Sequence, residues 1–182
     1  MAQTWHDRRR EQRPARRPLD ERSLEERAIA YVGRYATTQA RLSDYLQRKI
    51  SERGWGGAAS PAIAALVARL ASLGYVDDES FATARASALR RRGYGARRVD
   101  AALRAAGIDQ AIRATAGESD ADENLRAALA LARRRRLGPF ASQPVDRDNY
   151  RRAMGAMLRA GHDLEIARRV LAMARDEAET LL

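Results

Sequence analysis

Apolar residues recur at spacings of three and four along most of this chain, the period of a helix with one buried face. Leu24, Ala28, Ile29 and Val32 share one such face, and Leu42, Tyr45, Leu46 and Ile50 share the next. "ERGWGGAAS" closes that second helix with a flexible turn. Ser60-Pro61 then reads as an N-cap with proline at the first helical position, and Ile63, Leu66, Val67 and Leu70 carry the helix toward Gly74. Phe81 and Leu89 lie on one face of a later helix, and Leu125, Leu129 and Ala132 line "ADENLRAALALARRRR". "LGPFASQPVDRDN", with Pro139 and Pro144, reads as a loop. Met154, Met157 and Leu158, then Leu164, Ile166, Val170 and Leu171, mark the last two helices. No stretch alternates Val, Ile or Thr with polar residues, so no strand is expected. The pattern predicts nine helices.

A longer period lies over the short one. "QRKISERGW", "DAALRAAGI" and "GAMLRAGH" each close a helix at a glycine, and Gly54, Gly107 and Gly161 are 53 and 54 residues apart. Glycine there lets the chain reverse out of the helix while the next residue (Trp55, Ile108 or His162) packs back on it. Asp109 and Asp163 then fall where caps of the following helices belong. Such a period predicts an all-α tandem array of three three-helix repeats, over 23–76, 77–118 and 119–182. Residues 1–22 carry many arginines, Pro14 and Pro18, and too little apolar surface to offset chain entropy; they read as a disordered basic tail.

Composition narrows the partners. The apolar set is mostly Ala and Leu, with two Phe, two Trp and six Tyr, which suits thin helical packing. Net charge is +10, and of 34 basic residues only Lys49 is lysine. That balance favours polyanions or acidic protein surfaces. The chain has no cysteine, which excludes disulfides and thiolate metal sites and fits a reducing compartment. No apolar run approaches the ~20 residues that span a bilayer, and the N-terminus lacks the apolar core of a secretion signal. A cytoplasmic monomer with no membrane partner and no small-molecule substrate is expected.

Two clusters could carry chemistry. Asp77, Asp78 and Glu79 are three acids in a row, yet they immediately precede "SFATARASAL", where carboxylates serve the free amides and positive end of a helix. Capping outweighs catalysis, with Asp78 the candidate cap. With His6 and His162 the only histidines, and no HExxH, GxSxG, Walker or GxGxxG pattern, neither an enzyme nor a cofactor or metal site is expected. The arginines are the stronger signal. From Arg85 to Arg104 there are seven, against one acid, Asp100. Arg90, Arg91 and Arg92 close one helix, where cations are favoured; Arg97 and Arg98 open the next, where they are not, which suggests a partner outside the helix. Tyr94 lies between the two groups, and Arg133, Arg134, Arg135 and Arg136 close a later helix. These ten residues are the candidate partner- or DNA-binding set, against the alternative of a solvated surface.

"LGYVDDESFA" followed by "RRRGYGARRVDAALRAAGID", with "LSDYLQRKISERGW" upstream, resembles the RecX family of regulatory proteins. The resemblance covers about residues 24–113 well, and "YRRAMGAMLRAGHDLEIARRVL" matches more loosely. "GWGGAAS" is longer than the family's usual turn. The resemblance implies an elongated, curved helical array that binds along the groove of the RecA–DNA filament. It also implies inhibition of that filament's ATPase, strand exchange and coprotease functions in DNA repair and the SOS response. It carries over no catalytic residues. The alternative from the residues alone is a direct DNA-binding protein built of helix-turn-helix-like units, and weaker, salt-dependent contact with single- or double-stranded DNA is compatible with both.

Overall fold

The computed structural model describes residues 17–142 and 146–182, so most of the basic N-terminal segment, and Pro144, lie outside the described residues. The chain is all-α: among the described residues the regular structure is ten α-helices, one short 3-10 turn and an isolated β-bridge. It divides into two units, Met1–Val76 and Asp77–Leu182.

The first unit holds α1 (Glu21–Val32), α2 (Gln39–Arg53) and α3 (Ile63–Ser72). Their facing residues bury Leu24, Ala28, Leu42, Leu46, Val67 and Leu70 in one cluster, while Ile29 turns outward. Order begins earlier than composition suggests. Asp20 caps α1, its carboxylate accepting the Ser23 N–H at 2.8 Å while Ser23 Oγ accepts the Asp20 N–H at 2.9 Å. Leu19 is fully buried; its N–H donates to the Gly54 carbonyl (2.9 Å), and its carbonyl accepts from the Gly56 N–H (2.8 Å). A disordered tail reaching residue 22 is therefore corrected at its inner end, because one apolar side chain and two backbone hydrogen bonds outweigh the polar surroundings. The α3 start also differs: Ala62 precedes the helix without a side-chain cap, and Ser60-Pro61 form the approach to it.

The second unit contains α4 (Asp78–Arg91), α5 (Ala96–Arg104), α6 (Gln110–Gly117) and α7 (Ala121–Arg135). The 3-10 turn Gly138–Phe140 leads to α8 (Arg147–Arg159), α9 (Leu164–Ala172) and α10 (Arg175–Thr180). The tenth helix is an addition to the expected nine; Met173 and Ala174 take extended conformations and break it from α9. Two apolar clusters fill this unit. One joins Ala82, Ala86, Leu89, Val99, Leu103, Ala106 and Ile108 of α4–α6 and their turns; the other joins Leu125, Leu129, Phe140, Met157 and Val170 of the later helices. Half-buried Tyr94 packs against both. Alanines at many of the contact positions let the helix backbones approach closely.

Candidate partner-binding surface

The acids that open α4 are structural. Asp77, rather than Asp78, is the cap: it accepts from the Ser80 N–H (2.9 Å) and the Ser80 hydroxyl (2.6 Å). Those two bonds, the hydroxyl's first, hold its carboxyl below the ordinary value of 3.8. Asp78 and Glu79 occupy the first turn, where their charge suits the helix end. Among the described residues no three His, Asp or Glu side chains are grouped to hold a metal ion.

The Gly93-Tyr94-Gly95 segment is a packing node. Gly93 has φ +78, and a Cβ added there would lie 2.7 Å from the Leu131 backbone nitrogen of α7. A Cβ on Gly95 would lie 2.5 Å from the Gly161 carbonyl, at the end of α8. The backbones meet because their groups complement one another. The Gly95 N–H donates to the Ala160 carbonyl (2.9 Å), and the Arg97 N–H donates to the Gly161 carbonyl (3.2 Å). Amides left free at the start of α5 thus satisfy carbonyls left free at the end of α8. The negative end of α8 also offsets the cost of placing Arg97 and Arg98 at the positive end of α5. Their position there no longer demands an outside partner.

His162 locks the node from within. Its side chain is buried, and Nε2 lies 3.1 Å from the Gly93 carbonyl; a carbonyl can only accept, so Nε2 carries the proton. Burial pushes the imidazole below its ordinary 6.5, against weaker opposing effects of the Gly93 carbonyl and Asp163. The unfolded chain then binds a proton near pH 6.5 that the folded chain resists, so stability falls as pH drops below that value. The melting temperature should decrease between pH 7 and pH 5 in the native chain, and the decrease should shrink in His162→Gln. Equal pH profiles would show that His162 does not carry the effect.

The structure sorts the ten candidates. Arg90 points inward, 8% exposed, on the same face as Ala82 and Ala86. Its Nη2 donates to the carbonyls of Gly117 (2.7 Å), Glu118 (3.1 Å) and Ala116 (3.4 Å), and its Nε lies 3.8 Å from Glu123. It ties the end of α6 to α4 and is corrected out of the exposed set. Arg91, Arg92, Arg97 and Arg98 are exposed, and the guanidinium groups of Arg92 and Arg98 lie 5.8 and 6.0 Å from the Tyr94 ring centre. Arg133–Arg136 are exposed as well, and Arg134 donates to the Arg92 carbonyl, which brings the two arginine groups together. None of these eight forms an ion pair among the described residues, while Asp100 is taken by Arg104 (2.5 Å) and Arg113 (3.0 Å).

Arg136 shares a cleft of ≈ 250 Å³ with Arg152, Asn149 and Tyr150, an association that sequence spacing does not reveal. It is also the one non-glycine among the described residues with positive φ, at +54. A left-handed conformation costs an L-residue about 1–2 kcal/mol. Arg136→Gly should therefore raise the denaturation midpoint, by about 1 kcal/mol in stability; a lower midpoint would mean the side chain holds the end of α7.

No family model matches the chain. It is 35% identical to "Regulatory protein RecX" of Myxococcus xanthus strain DK1622 over 175 residues, covering 91% of this chain and 93% of that one. The protein of the same name from Mycobacterium sp. strain JLS is 33% identical and covered over 82% of both chains. Among solved structures, RecX from Lactobacillus salivarius superposes with a TM-score of 0.64 at 16% identity, over 86% of this chain and 95% of that one, which speaks for the fold. A second structure described as regulatory protein RecX gives 0.62.

Proposed function

The chain belongs to the RecX family of regulatory proteins, and from that premise we propose that it binds the filament RecA forms on DNA and restrains its ATPase, strand exchange and coprotease activities. It is a regulator rather than an enzyme. The observation that carries the reading is the meeting of Arg92, Arg98 and Arg134 at the Gly-Tyr-Gly node, within a set of eight exposed arginines that have no acid partner among the described residues. Charges left unpaired on a fixed backbone favour association with a surface of opposite sign. A filament supplies such a surface in protein acids and DNA phosphates alike. Three helical units, over residues 23–76, 77–118 and 119–182, are part of the same proposal, with three α-helices in each of the first two and the extra helix α10 in the third; the three apolar clusters support it.

Adding the protein to recombinase on single-stranded DNA should depress ATP hydrolysis at stoichiometric ratios, and unchanged hydrolysis would sink the reading. In the same assay, reversing Arg97 and Arg98 to Glu should weaken inhibition about tenfold or more, because like charges across an interface cost several kcal/mol. The melting temperature should stay put, since the Arg97 contribution to the node comes from its backbone. Direct DNA binding through these arginines would show instead as a log–log salt slope of about −0.9 per duplex phosphate neutralised.

A further inference from the structure

Three of the four tyrosines of the first unit line one cleft, far from the Gly-Tyr-Gly node in sequence. Tyr31 and Tyr45 stack with ring centres 4.1 Å apart and planes at 17°, joining α1 to α2. Both are half-buried against the first apolar cluster, so packing accounts for them. It does not account for Tyr35, which lies beyond the end of α1, tilted 50° to Tyr31 at 5.3 Å, and is 53% exposed. With Ala30, Arg34 and Arg48 these rings line an open cleft of ≈ 470 Å³.

The charges around the cleft are mostly cationic. Arg34 forms no ion pair among the described residues. Arg48 and Lys49 each lie 5.8 Å from the Tyr45 ring centre, and their shared acid partner, Glu52, sits one turn farther along α2, 3.7 and 2.5 Å from them. An exposed aromatic face flanked by guanidinium groups matches two chemistries at once, a flat unpaired base and the phosphates beside it. A duplex offers only the second, because its bases are already stacked. A small apolar ligand would leave the arginines without a role.

We propose that the cleft formed by Tyr31, Tyr35, Tyr45, Arg34 and Arg48 is a binding site for single-stranded nucleic acid, with a base stacked on Tyr35 and phosphates held by the two arginines. The site lies on residues other than those of the recombinase-facing surface and does not rest on that reading. Arg34 and Arg48 contribute attraction that salt screens, and Tyr35 contributes stacking that it does not.

The test titrates the whole chain, by fluorescence anisotropy, against a labelled oligo(dT) of roughly 15 nucleotides, an abasic strand of equal length and a blunt duplex. Tyr35→Ala should weaken oligo(dT) binding about tenfold, the scale of one base–aromatic stack, while Tyr35→Trp keeps it. Abasic and duplex affinities should not change in Tyr35→Ala. Arg34→Ala should lower the oligo(dT) salt slope by about 0.7. Oligo(dT) and oligo(rU) should both lose affinity in Tyr35→Ala. The proposal is overturned if Tyr35→Ala binds oligo(dT) as the native chain does, or if all three ligands weaken together. Because Tyr35 is exposed, loss of folding does not confuse the result; an unchanged melting temperature verifies this. The Arg97→Glu/Arg98→Glu variant should keep the Tyr35-dependent difference, so this site and the proposed filament contact succeed or fail separately.

Discussion

Gly161→Ala is expected to destabilise the second unit by about 3 kcal/mol. Two effects add at this position. The residue has φ +94, which costs an L side chain about 1–2 kcal/mol. A Cβ would also press on the Arg98 amide and lie 2.7 Å from the Arg98 Cβ; overpacking of that kind costs about 1–3 kcal/mol. Relief requires α8 and α5 to separate, and separation breaks the Ala160 and Gly161 carbonyl bonds to the start of α5. Gly74→Ala is the control: φ is +77 there, but nothing lies within 4 Å of the added carbon. It should show only the conformational cost. Denaturant unfolding of both variants decides the matter, and equal losses would mean that the two helix ends are not in close contact.

Arg90→Ala is expected to cost about 2–3 kcal/mol, while Arg91→Ala, one residue on, should stay within about 0.5 kcal/mol of the native chain. The Arg90 guanidinium serves three carbonyls at the end of α6 and faces Glu123 from a site 8% exposed. Its loss leaves those acceptors short of a donor and removes buried side-chain packing as well. Arg90→Lys should recover little, because an ammonium is a point charge and cannot reproduce the planar fork. The ordering should reverse in the ATP hydrolysis assay after correction for folded fraction, with Arg91→Ala the more impaired. An Arg90→Ala variant that is as stable as the native chain but fails to inhibit would return Arg90 to the partner surface.

The helix faces were legible because burial follows a period of three and four: Leu24, Leu42, Leu46, Val67, Leu70, Leu125, Leu129 and Val170 are all buried. Leu158 and Leu164 follow the same spacing, yet they are 39% and 43% exposed, since periodicity marks a face but not its edge. The caps Asp109 and Asp163 were legible for local reasons, each accepting an amide two or three residues on. What stayed hidden depends on tertiary approach. Arg90 looked like its neighbours in a charge run, although it continues the spacing of Ala82 and Ala86, and that signal was available. Nothing in "RRRGYG" announces that Arg134 reaches the Arg92 carbonyl or that Gly95 abuts Gly161. Leu19 is a lone apolar residue in polar surroundings, and only its pairing with Gly54 and Gly56 explains it.

Each apolar cluster is assembled from helices adjacent in sequence, whereas the His162–Gly93 contact joins residues 69 positions apart. Short loops close faster and at lower entropic cost than long ones. As the chain leaves the ribosome, the cluster around Leu42 can close before α5 is made, and the one around Leu103 before α8. The docking of Gly161 on Gly95 waits for nearly all of the chain. The node that carries the arginines is thus set after the clusters around Leu42 and Leu103 have closed, and only the end of the remaining cluster, with Val170, Met173 and Ala178, is made later.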